Sequence, residues 1–267
     1  MKKVLITGHK GYIGQHLWQM ISHTRKDIEL YGMDTAEIPT NPFYGDIRSD
    51  LTNQKFHTII HLAALVRVGE SVKYPTRYYD TNVNGTAHIL NHFNHHNFIF
   101  ASTGAAEKPE SPYGLSKRMA EDIVRENSYD YTTFRFYNVI GTDGFAPTNP
   151  DGLMSNLMAA VRHKRFDLYG TDYNTLDGSC IREYIHVNDI CKSIIKAIYK
   201  PSNAIENLAY GEPKSVLEII NIFKTVNNVE FAMNILPRRD GDPAEIYLTN
   251  QSNYVIKSYT YEEMLKL

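Results

Sequence analysis

The chain has 267 residues, with 28 Lys and Arg against 30 Asp and Glu and a formal net charge of −2. Its length allows a large core, built as one α/β domain or as one domain with a smaller lobe. The near-zero charge excludes a basic field of the kind that holds nucleic acid or an anionic membrane, and no apolar run in the sequence approaches transmembrane length.

The N-terminal apolar run and the cysteines indicate the compartment. The run at residues 4–6 is too short for the apolar region of a signal peptide. Cys180 and Cys191 lie outside any CxxC spacing, so they form no metal or redox motif. We therefore expect a cytoplasmic protein with reduced thiols.

The first half of the chain alternates strand and helix patterns. Short apolar runs predict strands, and apolar residues at helical spacing, such as Ile13, Leu17 and Ile21, predict helices. The predicted strands cover residues 4–6, 30–33, 58–62, 98–101 and 133–136, and the predicted helices cover 12–21, 82–93 and 111–125. This alternation predicts βαβ units and an α/β fold with a doubly wound parallel sheet, the Rossmann architecture.

The second half has a looser pattern. Residues 143–151 indicate a loop or a domain junction, a helix is predicted at 153–163, and 170–179 form a polar loop. Asp189 stands at a predicted helix N-cap, and Ser215 begins another predicted helix. The tail beyond Thr249 follows no clear pattern.

Three histidines, His92, His95 and His96, are close enough in sequence to suggest a metal site. They fall among asparagines at the end of a predicted surface helix, without a carboxylate or cysteine nearby. This composition favours a solvated helix end, and we expect no metal.

A glycine-rich turn follows the first predicted strand. Gly8, Gly11 and Gly14 let the backbone turn tightly and approach a pyrophosphate, which then meets the N-terminus of the first helix. Asp34 follows the second predicted strand, where an acid binds the adenosine ribose hydroxyls and repels a 2′-phosphate. The strand–turn–helix context therefore predicts an NAD site rather than an NADP site.

Tyr113 and Lys117 are four residues apart near the start of a predicted helix, so they share one face. We expect the lysine ammonium and an oxidised nicotinamide to lower the pKa of the tyrosine, whose phenolate then takes a proton from a sugar hydroxyl. Thr103 supplies a hydroxyl that can pass this proton, and Ser102 is the competing candidate.

These residues belong to a longer set of motifs. The chain resembles the UDP-galactose 4-epimerases, a family of extended short-chain dehydrogenase/reductases, over nearly its whole length. Nine segments carry the likeness in the family's order: TGHKGYIG, YGDIR, IIHLAALVRVGES, YYDTNVNGT, FIFAST, SPYGLSK, FRFYNVIG, IREYIHVND and PRRDGDPAE. The resemblance implies a Rossmann domain of residues 1–141, to which 184–211 returns, and a nucleotide-sugar lobe of 142–183 and 212–267.

The resemblance also implies roles for matched positions. Besides the glycines, Asp34, Tyr113 and Lys117, the implied NAD-binding residues are Tyr12, Ile13, Asp46, Ile47, Leu62, Ala63, Ala64, Asn82 and Tyr137. The implied UDP-sugar contacts are Asn138, Asn156, Leu157, Arg182, Arg239 and Asp242. A planar guanidinium suits a pyrophosphate, so the two arginines are expected to clamp it.

The sequence departs from the family at several places. Val66 stands where the family has a lysine, and Arg67 is the candidate replacement. Residues 34–43 are too few for the usual helix and loop, residues 104–110 lack the longer loop of the family, and the C-terminus is abbreviated.

The resemblance implies 4-epimerisation of a UDP-hexose with NAD. Dehydratases or decarboxylases of the same fold are the enzymatic alternative, but they carry an acid directly after the catalytic threonine. Here Gly104 and Ala105 follow Thr103, and Glu107 stands elsewhere. The alternative from another class is a non-catalytic NAD-binding regulator, against which the intact Tyr113 and Lys117 argue.

Two further expectations concern assembly and substrate breadth. Apolar stripes on two helices predict a symmetric homodimer through a four-helix bundle, as in the family. These stripes are Val83, Ala87 and Leu90, then Leu115, Met119 and Ile123. Ile246, with Tyr247 beside it, aligns with a residue that borders the sugar's 2-position, so we expect UDP-N-acetylated sugars to be accepted as well.

Overall fold

A computed structural model of the chain describes residues 1–36, 45–49, 54–142, 144–239, 242–248, 250 and 252–267. The strands are β1 (Lys2–Thr7), β2 (Ile28–Met33), β3 (Lys55–His61), β4 (Asn94–Thr103), β5 (Asp130–Phe136), β6 (Asn138–Ile140), β7 (Arg165–Tyr169), β8 (Ile181–Arg182), β9 (Tyr184–His186), β10 (Ala204–Leu208), β11 (Lys214–Ser215) and β12 (Ala232–Leu236). The helices are α1 (Tyr12–Thr24), α2 (Val68–Lys73), α3 (Pro75–Tyr78), α4 (Gly85–His92), α5 (Pro112–Asn127), α6 (Leu153–His163), α7 (Val187–Tyr199), α8 (Val216–Asn227) and α9 (Tyr261–Met264).

A six-stranded parallel sheet forms the centre, in the order β10-β5-β4-β3-β1-β2. Strand order reverses between β1 and β3, which is the point where an open α/β sheet binds its ligand beyond the carboxyl ends of the strands. The predicted doubly wound fold is confirmed.

Residues alternate between the two faces of the sheet. Val4 and Ile6 pack into the core that contains α1 and α7, whereas Leu5 packs into the core that contains α4 and α5. This period of two, repeated at Ile59 and Ile60, covers both faces with apolar side chains. The sheet is therefore buried between two helical layers.

The second half of the chain adds three short strand pairs outside the main sheet and also returns to that sheet. Short pairs form between β6 and β9, between β7 and β12, and between β8 and β11. In contrast, β10 extends the main sheet beside β5, and α7 packs on α1. Apolar residues of α6 and α8 belong to the same core as those of α1 and α7, so these two helices share a core with the main sheet. Among the described residues, no helix is long and apolar enough to cross a membrane.

Several predicted elements have different bounds. The predicted helix at 82–93 begins earlier, because α3 continues through a π-helical turn (Tyr79–Asn84) into α4. The predicted strand at 98–101 begins at Asn94, so His95 and His96 lie on β4 and only His92 ends a helix. The prediction of one helix end for all three histidines was therefore wrong, because the backbone of His95 and His96 belongs to β4, which pairs with β3.

The predicted N-cap of α7 was also wrong. His186 is the cap, and its Nδ1 accepts a hydrogen bond from the Asn188 amide at 3.1 Å. Asp189 lies in the first turn and is fully buried, where it accepts hydrogen bonds from Tyr210 Oη at 2.5 Å and the Ser258 amide at 2.8 Å. Its side chain therefore ties the C-terminal segment to the sheet.

The apolar stripe predicted on the helix at 82–93 does not face solvent. Val83 and Leu90 are each 8% exposed because they pack inside the protomer, so they cannot form an intersubunit surface. On α5, Leu115 and Met119 are exposed. The predicted shortening at 34–43 lies outside the described residues from position 37 onward.

Candidate active site

The turn after β1 brings three glycines together. Gly8 has φ +75°, and a Cβ there would lie 2.7 Å from the Ala63 nitrogen. A Cβ at Gly14 would lie 2.4 Å from the Gly8 carbonyl oxygen. Only glycine permits this close passage of β1, the turn and α1.

The N-terminus of α1 opens onto a cavity beside this turn. Gly11 is the N-cap, none of the described side chains caps the helix there, and its first turn carries no acid. The helix dipole favours an anion at this end of α1. This cradle fits the pyrophosphate of a dinucleotide.

Asp34 is held at the carboxyl end of β2, next to the glycine turn. Its Oδ2 accepts a hydrogen bond from the Lys10 amide at 3.0 Å, and its Oδ1 accepts one from the Ala36 amide at 3.0 Å. Both bonds fix the carboxylate at the edge of the cradle, where a ribose attached to the pyrophosphate would lie.

The cavity has a volume of about 410 Å³ and lies beyond the carboxyl ends of the central strands. It gathers most of the predicted cofactor and catalytic residues. Those that line it are Gly8, Gly11, Tyr12, Ile13, Gly14, Leu62, Ala64, Thr103, Tyr113, Lys117, Tyr137 and Asn138.

The local sequence explains the position of Tyr113. Ser111 caps α5 by accepting a hydrogen bond from the Gly114 amide at 3.2 Å, and Pro112 follows at the first helical position. Tyr113 therefore stands in the first turn of α5, and Lys117 follows one turn later on the same face. Both side chains are buried, at 9% and 3% exposure.

The two candidate hydroxyls on β4 have different partners. The Thr103 side chain forms a hydrogen bond with the Tyr113 phenol. In contrast, Ser102 Oγ donates to the buried Glu121 carboxylate at 2.5 Å. Of the two hydroxyls, that of Thr103 is thus the one engaged with the tyrosine.

The electrostatics of the pair differ from the expectation. Burial raises the pKa of Tyr113 to about 12, and the hydrogen bond from Thr103 offsets only part of this effect. Burial also lowers the pKa of Lys117 to about 7, against the opposing charge of Glu121. Burial, rather than the lysine, is therefore the main influence on the pKa of Tyr113 within the protein itself.

Tyr137 closes another side of the cavity. Its ring packs so tightly on Gly104 that a Cβ there would lie 2.7 Å away. Its hydroxyl is buried without a hydrogen-bond partner among the described residues. A buried hydroxyl that lines a cavity and lacks a partner indicates that a ligand supplies one.

A second cavity, of about 160 Å³, continues from the first through Asn138 and Leu153, which line both. It contains the predicted nucleotide residues Asn156, Arg182, Arg239 and Asp242. The described cavities therefore form one elongated cleft that runs from Tyr113 to the lobe.

The two arginines of this cleft are oriented by neighbours. Arg182 Nη2 donates to Asp242 Oδ1 at 2.8 Å, although 60 residues separate them. The Arg239 guanidinium lies 3.9 Å from the ring centre of Tyr169, a stacking geometry that leaves its edge free for anions.

Other predicted residues lie outside both cavities. Asn82 is buried, with its amide bonded to the Leu65 backbone at 2.8 and 2.9 Å and to Ser116 Oγ at 2.9 Å. It therefore shapes the segment that carries Leu62 and Ala64. The other predicted site residues that line neither cavity are Asp34, Asp46, Ile47, Ala63 and Leu157. Of these, Ile47 and Leu157 are buried.

Arg67 does not take the place of the missing lysine. Val66 lines the first cavity, whereas Arg67 Nε donates to Asp151 Oδ2 at 2.7 Å, which joins the Rossmann domain to the loop before α6. The cavity is also lined by residues 147–149 and 152–155, from the loop before α6 and the first turn of α6, which the sequence motifs did not predict. Their types follow no motif spacing, so only the fold reveals them.

Comparison with known proteins agrees with this site. A family model described as "NAD dependent epimerase/dehydratase family" matches residues 4–211. UDP-glucose 4-epimerase from Haemophilus influenzae is 30% identical over 91% of this chain and 88% of its own length, and the enzyme from Erwinia amylovora is 31% identical over 91% and 88%. The alignment to the former spans 298 positions, so this chain of 267 residues is shortened relative to it.

Among solved structures, the UDP-glucose 4-epimerase from Bifidobacterium longum in complex with NAD⁺ and UDP has a TM-score of 0.81 and is 25% identical, covering 98% of this chain and 96% of the other. The glycine cradle, the held Asp34 and the uncapped helix fit the NAD that the family uses. The chain belongs to the NAD-dependent epimerase/dehydratase family.

Proposed function

We propose that this protein interconverts UDP-hexoses that differ at carbon 4, with UDP-glucose and UDP-galactose as the first pair to test. The main support is one geometric fact: Tyr113, Lys117 and Thr103 meet at the glycine cradle, in a cleft that continues to Arg182. A sugar nucleotide can therefore present its sugar to the tyrosine while its phosphates reach the arginines. The curated relatives are named UDP-glucose 4-epimerases.

Tyr113 is proposed as the base. Its phenol takes the proton of the sugar 4-hydroxyl as carbon 4 is oxidised, and returns it when carbon 4 is reduced. Because its pKa within the protein is raised to about 12, added positive charge is needed to favour the phenolate near neutral pH. The N-terminal end of α5 supplies part of it, since Tyr113 lies in the first turn.

NAD, held by the glycine cradle and Asp34, would supply a reversible hydride acceptor for carbon 4, so that no other oxidant would be needed. Lys117 contributes an ammonium group beside the phenol. Thr103 holds the phenol by its hydrogen bond and relays the proton between tyrosine and sugar.

The far end of the cleft is proposed to hold the nucleotide. Arg182 and Arg239 bind the pyrophosphate, and Asp242 and Asn156 bind the nucleoside. Asp242 keeps Arg182 oriented through the ion pair at 2.8 Å. Anchoring at this end leaves the sugar free to turn over before the hydride returns, which inversion at carbon 4 requires.

The dehydratase alternative requires a second acid beside the reacting sugar. Gly104 and Ala105 follow Thr103, and neither can transfer a proton. Glu107 is not among the residues that line the described cavities, and its charge acts on Tyr137 and Arg135. These observations favour epimerisation over elimination.

Incubation of the purified protein with UDP-galactose tests the proposal. Formation of UDP-glucose, followed by chromatography, is the expected result. Formation of a 4-keto-6-deoxy product would instead establish a dehydratase. Binding of NAD without turnover of any UDP-hexose would favour the non-catalytic regulator.

We also propose that UDP-N-acetylated sugars are accepted. Ile246 is half-buried and its amide donates to the Ile181 carbonyl at 3.1 Å, whereas the neighbouring Tyr247 is 45% exposed. This register supports isoleucine as the inward residue near the sugar's 2-position. The test compares kcat/KM for UDP-N-acetylgalactosamine and UDP-galactose, and Ile246→Tyr should shift the ratio toward the plain sugar. A preference of the wild type for the plain sugar above about a hundredfold would contradict the proposal.

A homodimer is proposed through α5 and its neighbour α2. Leu115 and Met119 on α5 are 40% and 42% exposed, and Val72 and Tyr74, at the C-terminal end of α2, are 55% and 53% exposed. Because α2 packs beside α5, these four side chains lie on adjoining elements and form an apolar surface that a second copy can cover.

A further inference from the structure

Lys117 occupies an unfavourable place for a charged group. Its side chain is almost fully buried, at 3% exposure, and its Nζ lies 4.2 Å from the ring centre of Phe100. Burial lowers its pKa to about 7 even though the charge of Glu121 raises it, so near neutral pH only about half of the side chains carry the proton. A group elsewhere in the protein must favour the ammonium.

Glu121 lies one helical turn beyond Lys117 on α5. Its side chain is fully buried, and three hydrogen bonds fix its carboxylate. Arg135 donates two of them, from Nε at 2.8 Å and from Nη2 at 2.7 Å, and Ser102 Oγ donates the third at 2.5 Å. These donors come from β5 and β4, so the carboxylate is anchored to two strands of the sheet.

Glu121 is the acid that acts on the lysine. Its charge raises the pKa of Lys117 against the effect of burial. Among the described residues, Tyr113 precedes Lys117 by one turn on the same helix, and His61 on β3 lies near enough to feel its charge. Arg135 on β5 pairs with the Glu121 carboxylate. His61 is neutral, because burial lowers its pKa to about 3.

We propose that Glu121, fixed by Arg135 and Ser102, is a positioning residue that raises the protonated fraction of Lys117 beside Tyr113. The proposal rests on the proposed function only in giving Lys117 a role in proton transfer. Glu121 itself contacts neither cavity and acts through the lysine.

The three partners have separate tasks in this arrangement. Arg135 gives the buried carboxylate a charged partner through two hydrogen bonds, at 2.8 and 2.7 Å. Ser102, which also lines the first cavity, completes the hydrogen bonds of the carboxylate. The hydrogen bonds from Ser102 on β4 and Arg135 on β5 hold the carboxylate in one orientation on α5.

The protonation of Lys117 can be measured directly. In protein labelled with ¹³C at the lysine Cε positions, the signal lost in Lys117→Arg identifies this residue, and its chemical shift is followed from pH 5 to 10. Wild type is expected to titrate near the value of about 7 that burial and Glu121 together give. In Glu121→Gln the titration should move to lower pH, because the charge that raises the pKa of Lys117 is removed.

A second variant covers the possibility that Glu121→Gln does not fold. Glu121→Gln combined with Arg135→Met removes both buried charges, so it leaves no unpaired cation. If this folded double variant keeps the wild-type titration of Lys117, the pair is purely structural and the proposal is wrong. A titration at lower pH than wild type supports it.

Asp122→Asn is the matched control. It removes one negative charge from the same helix, but its side chain is 45% exposed and pairs with Arg125 at 2.9 Å. It should leave the titration of Lys117 unchanged. An equal shift in this control would mean that only the net charge of α5 matters, which would overturn the role of Glu121.

A pH profile separates this inference from the proposed function. If Lys117 serves the tyrosine, the alkaline limb of kcat/KM should move to lower pH in the double variant together with the NMR titration. If the NMR titration moves and the profile does not, Glu121 controls the lysine, but the proposed role of Lys117 in turnover fails.

Discussion

Replacing Tyr113 by phenylalanine tests the site most directly, because it removes one buried hydroxyl and keeps the ring. That hydroxyl forms a hydrogen bond with Thr103, and the side chain is 9% exposed. Loss of one such bond should lower the free energy of unfolding by about 0.5–1.5 kcal/mol. The midpoint of thermal unfolding should then fall by only a few degrees, about 2–4 °C per kcal/mol.

The effect on turnover should be far larger. Loss of a positioned general base reduces the rate by about 10²–10⁴-fold, which corresponds to about 3–5 kcal/mol of activation free energy. Turnover of UDP-galactose, NAD content after denaturation and thermal unfolding are measured on the same preparation. NAD content should be unchanged, since the glycine cradle and Asp34 are intact.

Tyr78→Phe is the control for this variant. Tyr78 is fully buried and its ring lies 6.4 Å from that of Tyr113, but its hydroxyl bonds Glu70 at 3.2 Å. It should lose similar stability and retain turnover within about tenfold. Turnover of Tyr113→Phe at that same level, with NAD bound, would refute the assignment of the base.

Three further predictions concern the cofactor, the relay and assembly. The protein should prefer NAD to NADP, and Asp34→Ala should narrow this preference in equilibrium binding; equal affinity of the wild type for both would exclude the proposed ribose contact. Thr103→Ala should reduce kcat on the scale of about 10²-fold, with the pH optimum shifted upward because the Thr103 hydrogen bond lowers the pKa of Tyr113. Ser102→Ala should instead act mainly on thermal stability, and the reverse order of effects in the pH–rate profiles would identify Ser102 as the relay. Leu115→Glu combined with Met119→Glu should convert a dimer to monomers in sedimentation at micromolar concentration, and a monomeric wild type would remove the dimer proposal.

Several features followed from the sequence alone because they depend on local geometry. Part of the glycine turn depends only on local geometry: Gly8 needs its positive φ, and Gly14 needs space beside Gly8 wherever the turn lies. The spacing of Tyr113 and Lys117 follows from helical periodicity, and the Ser111–Pro112 start was recognisable from capping preferences. The alternation of strands and helices predicted the parallel sheet.

Tertiary structure decided the features that join distant segments. Glu121, Arg135 and Ser102 lie on three elements, and only the order of strands in the sheet brings them together. Their types in sequence are those of ordinary surface residues, so no local pattern distinguishes a buried ion pair from solvated charges.

The pKa values of Tyr113 and Lys117 also depend on tertiary structure, because burial sets them. The sequence predicted a lysine that lowers the pKa of Tyr113, but the pKa of a group depends on how much water surrounds it. The fold buries both side chains, which raises the pKa of the tyrosine to about 12 and lowers that of the lysine to about 7. Sequence therefore predicted which groups perform the chemistry, and the packing around them determined their pKa values.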